Sequence, residues 1–221
     1  MDELKIKNLL NLKETIASSI FEGLTYPWEV LAKLSDYIRD LGPTLEEAGY
    51  SKIGEDVWIS KTARVAPTAL ITGPTIIGHK AEIRHCAYIR GGVLVGEACI
   101  VGNSTELKNT LLFNRVQVPH FNYVGDSVLG YKAHIGAGGI TSNQKSDKSL
   151  ISVHAQGVRI ETGLTKLGTI LGDCVEVGCN AVLNPGSVIG SGANVYPLSM
   201  VRGYVPPNTI YKKQGEVVNK R

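Results

Sequence analysis

Histidine and cysteine are the side chains of this 221-residue chain whose types could support acid–base, nucleophilic or metal chemistry. An imidazole exchanges a proton near neutral pH, so a histidine held beside a substrate can act as a general base. The cysteines form no Cys-x-x-Cys pair and have no histidines at zinc-binding spacing. We therefore expect each cysteine to be reduced, as in the cytoplasm, and to pack in the interior as a small hydrophobic residue. The four cysteines are Cys86, Cys99, Cys174 and Cys179.

The composition excludes several classes of protein. A hydrophobic content of 43% is typical of a globular chain and not of a disordered one. No apolar run approaches the roughly 18 residues that a membrane span needs, so we expect no membrane association. A net charge of +3, spread along the chain, predicts no nucleic-acid partner. The acidic, amphipathic N-terminus resembles neither a signal peptide nor a transit peptide, and we therefore expect a cytoplasmic protein.

An internal repeat of six residues must position any functional side chain. From Ile53 onward a branched aliphatic residue recurs at every sixth place, and small or polar residues often follow it. The register wavers at Phe113 and Pro119, resumes at Leu129 and Ile135, and returns from Leu171 to the end of the repeat. Because this period fits neither a helix nor an open sheet, it predicts a chain that turns a corner after each short strand.

This pattern predicts a mainly β fold, a left-handed parallel β-helix of hexapeptide repeats with a three-sided interior of Ile, Val and Leu. Glycine suits the corners, and β-branched residues suit flat strands that pack on the coil above. The 25 glycines beside only 3 phenylalanines agree with so narrow a core. At roughly 18 residues a coil, residues 51–206 would form about eight coils, with an inserted loop at about 141–168.

The two ends of the chain differ from the repeat. Residues 1–50 show helical spacing of apolar residues on either side of Gly23, which predicts a helical segment that caps the first coil. Residues 207–221 form a polar C-terminal tail, predicted to be loose or to lie against a neighbouring subunit. The apolar stripes of the first segment are interpreted as packing surface and not as cofactor contacts.

Two segments break the hexad rule, 101–126 and 135–168, and irregularity in a repeat is where function concentrates. Three motifs lie within these segments. They are Val-Gly-Asn-x3-Leu-Lys at 101–108, His-x2-Tyr-x-Gly-Asp at 120–126, and Ile-Gly-Ala-Gly-x-Ile-x2-Asn at 135–143. With them, the chain from Tyr26 to Val205 resembles the C-terminal acetyltransferase domain of bifunctional N-acetylglucosamine-1-phosphate uridyltransferase/glucosamine-1-phosphate acetyltransferase. It resembles still more closely the β-helical domain of archaeal-type sugar-1-phosphate nucleotidyltransferases.

The resemblance implies a set of site residues. His120 matches the histidine that acts as general base on the amino group of the sugar phosphate. The residues that match the acceptor site are Arg90, Lys108, Tyr123 and Asn143, with His134 where the family has asparagine. The residues that match contacts to acetyl-CoA are Ala137, Cys179 and Pro197, of which the last two differ from the family's Ser and Ala. Lys212 or Lys213 matches a C-terminal cation for the coenzyme phosphates.

The chain also departs from the bifunctional enzyme. Gln144 and Lys145 stand where that enzyme has Tyr and Asp, which leaves the identity of the sugar open between glucosamine- and galactosamine-1-phosphate types and related nucleotide sugars. The loop at 149–168 is longer than in that enzyme and matches the archaeal-type relatives. Because about 50 residues precede the repeat and no pyrophosphorylase glycine loop is present, no intrinsic pyrophosphorylase activity is expected.

The resemblance therefore predicts an N-acetyltransferase that uses acetyl-CoA as co-substrate, needs no metal and forms a homotrimer with sites shared between protomers. One alternative is a non-catalytic trimeric β-helix that binds a sugar nucleotide or partners a separate nucleotidyltransferase. Another is a zinc prism like the γ-carbonic anhydrases, which needs three histidines on facing strands. The five histidines lack the spacing of that family; they are His79, His85, His120, His134 and His154.

Overall fold

The structure, a computed structural model, describes residues 2–220 and is a parallel β-helix with a largely helical N-terminal segment. The α-helices are α1 (Ile6–Leu9) and α2 (Leu34–Leu41). Five 3-10 helices accompany them, at Asp2–Leu4, Leu12–Glu14, Ser18–Phe21, Pro27–Ala32 and Gly42–Leu45. No helix within residues 2–220 has the length and hydropathy needed to cross a membrane.

The remaining elements are short strands. In chain order they are β1 (Tyr50–Gly54), β2 (Val57–Ser60), β3 (Arg64–Val65), β4 (Leu70–Ile71), β5 (Thr75–Ile77), β6 (Glu82–Ile83), β7 (Tyr88–Ile89), β8 (Val93–Val95), β9 (Ile100–Asn103), β10 (Glu106–Leu112), β11 (Gln117–His120), β12 (Tyr123–Leu129), β13 (His134–Ile135), β14 (Ile140–Thr141), β15 (Ser152–Ala155), β16 (Val158–Glu161), β17 (Thr169–Leu171), β18 (Glu176–Val177), β19 (Val182–Leu183), β20 (Ser187–Ile189), β21 (Asn194–Val195), β22 (Met200–Val201), β23 (Tyr204–Val205), β24 (Thr209–Lys213) and β25 (Glu216–Asn219).

These strands form three flat faces. Face 1 contains β2, β5, β8, the second halves of β10 and β12, and then β17, β20 and β23. Face 2 contains β3, β6, β9, β11, β13, β18, β21 and β24, while face 3 contains β4, β7, the first halves of β10 and β12, and β14, β19 and β22. Faces 1 and 2 thus have eight parallel layers and face 3 has seven, which confirms the predicted β-helix of about eight coils.

The predicted hexad residues line the interior. From Ile77 to Val101 each of them is at most 1% exposed, and the same holds for Leu183 and Val201 after the insertion. The first positions differ, because Ile53 is 66% exposed on β1, which pairs antiparallel with β2 and lies outside the coils. The prediction of an inward side chain at Ile53 is therefore wrong.

Two short coils explain why the register wavers. Val95, Leu112 and Leu129 occupy the same place in successive layers of face 1, so each of these coils has 17 residues, whereas Ile77 to Val95 spans 18. β10 and β12 each run continuously from face 3 to face 1, through a left-handed residue, Asn109 or Asp126. The shortened corner brings polar side chains of neighbouring coils close together.

The N-terminal segment covers face 1 along its length. The outward side chains of this face from β5 to β20 are fully buried, as at Leu94 and Val128, and α2 contacts β5, β8 and β10. The backbone of Leu9 meets coil six at Asp173, while Gly42 packs against the ring of Trp58 in the first coil. The predicted cap over the first coil is thus wrong: face 1 presents an apolar row that the segment buries instead.

Asp173 fixes the start of this segment. Its carboxylate accepts hydrogen bonds from the backbone of Asn11 (2.8 Å) and Tyr131 (2.8 Å), and burial raises its pKa. We expect Asp173→Ala to lower the free energy of unfolding by about 1–2 kcal/mol, because the backbone N–H groups of exposed Asn11 and half-buried Tyr131 lose a charged acceptor. Urea unfolding monitored by tryptophan fluorescence measures this loss. Asp173→Asn retains one acceptor oxygen and should lose less; equal stability of Asp173→Ala and wild type would contradict the assignment.

The C-terminal tail is ordered on face 2. β24 adds the eighth layer of this face by pairing with β21, and β25 folds back antiparallel on β24. Tyr211 is 6% exposed and its hydroxyl donates to the carbonyl of Met200 (2.8 Å). The prediction of a loose tail from residue 207 is therefore wrong, because these residues continue the sheet of the last coils.

Candidate functional site

Four predicted site residues lie on one edge of the β-helix, the corner between faces 2 and 3. The N–H of Gly138 donates to the carbonyl of His120 (3.0 Å), and the corresponding bonds reach Ala137 (2.9 Å) and Cys179 (2.9 Å) from the coil above. These bonds stack one residue of each coil on the next. The resulting edge column contains His120, Ala137, Cys179 and Pro197 in successive coils, so the predicted base and the predicted coenzyme contacts share one edge.

A buried amide holds the lower part of this column. Asn122 is 2% exposed, and its Oδ1 accepts the backbone N–H of His120 (3.1 Å). Its Nδ2 donates to the carbonyls of Gly136 (2.8 Å) and Gly139 (3.2 Å), on either side of Ala137. Asn122 therefore fixes the backbone of His120 relative to the turn that carries Ala137. The sequence prediction missed this role, although the residue lies inside the His-x2-Tyr motif.

A second group of polar residues surrounds Asp126 at the corner between faces 3 and 1. Asp126 is 3% exposed and accepts hydrogen bonds from Lys108 Nζ (3.1 Å) and Asn109 Nδ2 (2.9 Å), as well as from the amide of Asn143. The same Asn143 amide donates to the hydroxyl of Tyr123 (3.1 Å). The structure therefore joins three predicted acceptor residues, Lys108, Tyr123 and Asn143, through a carboxylate that the prediction did not single out.

Tyr123 retains its proton in this cluster. Burial raises the pKa of its phenol, and the nearby carboxylate of Asp126 raises it further. Because the Tyr123 oxygen already accepts a hydrogen bond from Asn143, its own O–H remains available to donate to a ligand. The side chain lies on face 3, three residues after His120 and around the corner from it.

Arg90 lies one coil below Lys108 on the same face. Its guanidinium pairs with Glu106 (2.7 Å), and this hydrogen bond raises the pKa of Arg90. Glu106 lies in register between Tyr88 and Tyr123, so a carboxylate separates two outward rings. Each of the two predicted phosphate-binding cations is therefore already paired with an acid, Arg90 with Glu106 and Lys108 with Asp126.

His134 lies apart from this cluster. Its side chain is on face 2, where Nδ1 is 2.7 Å from the carboxylate of Glu176, and its register partner is Gln117. The corner between faces 2 and 3 separates it from Tyr123 within one chain. The predicted contact of His134 with the acceptor stays a prediction and would need a second copy of the chain.

The remaining reactive side chains are dispersed. Within residues 2–220 no group of three or more His, Cys, Asp or Glu side chains is arranged to hold a metal ion. Only Cys99 is buried, and burial raises the pKa of its thiol to about 12. Cys86, Cys174 and Cys179 are exposed, so the prediction that all four cysteines are buried is wrong. The first two occupy left-handed corner positions, which point outward.

The two C-terminal lysines of β24 share one carboxylate as their partner. Lys212 (3.1 Å) and Lys213 (3.6 Å) both contact Glu216 across the hairpin of β24 and β25. Their predicted contact with the coenzyme phosphates would require them to leave this carboxylate in part.

Comparisons with known proteins agree with the resemblance. A family model described as the GMPPB C-terminal domain matches residues 71–165. The chain is 29% identical over 223 residues to the bifunctional protein GlmU of Methanococcus vannielii, covering 95% of this chain and 53% of the relative. It is 34% identical over 196 residues to a bifunctional sugar-1-phosphate nucleotidylyltransferase/acetyltransferase of Sulfurisphaera tokodaii, covering 80% and 49%.

Among solved structures, the acetyltransferase domain of PglB from Neisseria gonorrhoeae, in complex with acetyl coenzyme A, is 16% identical with a TM-score of 0.37. That match covers 86% of this chain and 76% of the PglB chain. The chain spans about half the length of the curated relatives that it matches.

Proposed function

We propose that this hexapeptide-repeat chain, a relative of the GlmU proteins, is an N-acetyltransferase that moves an acetyl group from acetyl-CoA to an amino-sugar 1-phosphate. The acceptor would be of the glucosamine- or galactosamine-1-phosphate type, or a related nucleotide sugar. The edge column carries the proposal, because it aligns the predicted base His120 with the three predicted coenzyme contacts.

The chemistry assigns one task to His120. An ammonium group has no free electron pair, so the acceptor amine must lose a proton before or during its attack. The nitrogen forms a bond to the acetyl carbonyl carbon, the carbon–sulfur bond of the thioester breaks, and the coenzyme leaves as a thiolate. His120 would take the proton from nitrogen and could return it to the leaving sulfur. Its exposed ring, fixed through the backbone by Asn122, suits an acceptor that arrives from outside.

The coenzyme would lie along the edge column above His120. Ala137 and the glycines beside it present little side-chain bulk, and Gly138 has a left-handed φ of 71°. Cys179 and Pro197 continue the same edge for two further coils. A pantetheine arm laid against these residues would bring its thioester toward His120.

The acceptor would occupy face 3 beside the column. The O–H of Tyr123 and the amide of Asn143 can bond sugar hydroxyls, while Arg90 and Lys108 would contact the phosphate. Both cations already have carboxylate partners, so the phosphate would use their remaining N–H groups. His134 of a neighbouring chain would complete this site only if face 2 of that chain packs near face 3.

Face 3 supports a homotrimer in which two chains close each site. Its outward row is partly apolar and accessible, with Leu70 at 56%, Ile140 at 40%, Val182 at 37% and Met200 at 51% exposure. Face 1 is covered by the N-terminal segment, so faces 2 and 3 are the ones available for association. A stripe of accessible apolar side chains on a rigid face is typical of an interface between subunits.

We expect Val182→Asp to dissociate the trimer, because a carboxylate between Ile140 and Met200 in this row would be desolvated against apolar side chains. Sedimentation equilibrium would then show a single-chain species at concentrations where the wild type contains three chains. Val158→Asp is the matched control, since Val158 is similarly exposed (40%) but lies on the inserted hairpin. A trimer that survives Val182→Asp would contradict the assignment of face 3.

The proposed activity is tested by thiol release from acetyl-CoA with a panel of amino-sugar phosphates and amino-sugar nucleotides. We expect release that depends on the acceptor.

The second candidate is a non-catalytic trimeric β-helix that binds a sugar nucleotide or partners a nucleotidyltransferase. The paired states of Arg90 and Lys108 favour it, because a carboxylate beside each cation reduces the positive charge that would attract a phosphate. Absence of release with every acceptor, in a protein that binds sugar nucleotides, would support this candidate.

A further inference from the structure

The inserted segment forms a second concave site, whose lining residues are all different from those of the proposed acceptor site. Residues 142–168 leave the corner between faces 3 and 1 and return at Gly168, and within them β15 and β16 form an antiparallel hairpin. This hairpin lies over the last coils, where β15 contacts β20 and β23. Between the insertion and the coils is a pocket of about 470 Å³, within the size range of small-molecule sites.

The pocket is built on a fixed base. Ile151 and Val153 are fully buried beneath the hairpin. Two corner glycines let the hairpin approach the coils closely, because a side chain at either position would collide with it. A Cβ on Gly186 would lie 2.8 Å from Ile151 Cγ2, and one on Gly203 would lie 3.1 Å from the carbonyl oxygen of His154. Both glycines have a left-handed φ, 77° and 81°. The insertion is therefore docked on its corner, and the walls of the pocket are positioned before any ligand arrives.

Three basic side chains from separate segments line this pocket. They are Lys145 of the loop, His154 of β15, and Arg202, which directly follows β22. Lys145 Nζ is held by the carbonyl of Leu150 (2.6 Å) and the hydroxyl of Ser149 (3.4 Å). Among residues 2–220, none of the three basic side chains forms an ion pair. One acid, Asp147, also lines the pocket.

Arg202 contrasts with Arg90, which occupies the equivalent place after β7 on the same face. Arg90 is paired with Glu106, whereas Arg202 lines the pocket and forms no ion pair with any residue from 2 to 220. An exposed guanidinium that lines one pocket together with an ammonium and an imidazole suits a ligand with two or three negatively charged oxygens. With one carboxylate against two permanent cations, the pocket has a positive net charge.

We propose that this pocket binds a small phosphorylated metabolite of sugar-phosphate size, with Arg202 as the main ligand to the phosphate and Lys145 and His154 beside it. The pocket shares no residue with the cluster of Lys108, Asn109, Asp126 and Asn143. Binding in this pocket requires no acetyl transfer and is therefore independent of the proposed function.

The test is calorimetric titration with inorganic phosphate and with glucose 1-phosphate, which has no amine to acetylate, in the absence of acetyl-CoA. We expect Arg202→Ala to weaken binding of both probes at this site about 10- to 100-fold, the loss typical of a hydrogen bond to a charged group. Arg202→Lys should retain part of the affinity, since it keeps the charge and loses the planar fork. His154→Ala should weaken binding less.

Two controls make the outcome specific. Lys148→Ala removes an exposed cation of the same loop that does not line the pocket, and it should leave the affinity unchanged. Arg90→Ala should leave the Arg202-dependent component unchanged, because it affects only the other cluster. Failure of the wild type to bind either probe would overturn the proposal, as would equal affinities of wild type and Arg202→Ala.

Discussion

Replacing His120 with alanine is expected to lower kcat for acetyl transfer by about 10²- to 10⁴-fold, the contribution typical of a positioned general base. The physical reason is that the imidazole of His120 is carried by the coil directly below the predicted coenzyme contact Ala137 on the edge column. Steady-state thiol release with a saturating acceptor measures the change in kcat.

The structure offers a matched control for this variant. His85 lies on the same corner two coils below His120, is also exposed, and bonds the hydroxyl of Thr68 (2.9 Å). We expect His85→Ala to keep kcat near the wild-type value. A second comparison, His134→Ala, asks whether the histidine on face 2 shares the task. Wild-type turnover in His120→Ala, or a greater loss in His134→Ala, would show that the base assignment is wrong.

The repeat could be predicted because it depends on local chemistry alone. An aliphatic residue at Ile83 or Val101 must point inward in any chain that turns a corner every six residues, and both are buried. The coil that contains Leu112 departs from the prediction because its corner is one residue shorter, which hexad spacing alone does not specify. The path of residues 1–50 was mispredicted for a different reason. Their apolar stripe is equally compatible with the end or the side of a prism.

The candidate site also has one part that the sequence predicts and one part that it does not. The edge column follows directly from hexad register, since equivalent corner residues such as His120 and Ala137 must stack. The roles of Asn122 and Asp126 could not be predicted in this way. Each depends on hydrogen bonds between coils that are 14 to 18 residues apart in sequence, and an asparagine or aspartate at a corner is also common where no ligand binds. Their burial, and not their residue type, distinguishes them.

Asp126 is expected to matter most for the integrity of the acceptor site. Asp126→Ala would remove the carboxylate that binds Lys108, Asn109 and Asn143, and would leave the partly buried ammonium of Lys108 unpaired. Breaking a buried ion pair by removing one partner costs about 3–5 kcal/mol. Lys108 retains 26% side-chain exposure, so we expect a loss near the lower end, about 3 kcal/mol, in the free energy of unfolding measured by urea titration.

The control for this prediction is an ion pair of the same type on the surface. Glu97→Ala removes the partner of Lys80 (3.2 Å), where both side chains are well exposed, and it should cost at most about 1 kcal/mol.

Asp126→Asn keeps the shape of the side chain but places an amide N–H₂ group among donors, so it should lose stability and also raise KM for the acceptor. Asp126 acts on the acceptor by holding Lys108 and Asn143, and not by contact. We therefore expect KM for acetyl-CoA to change much less, and an equal rise in both KM values would contradict this role.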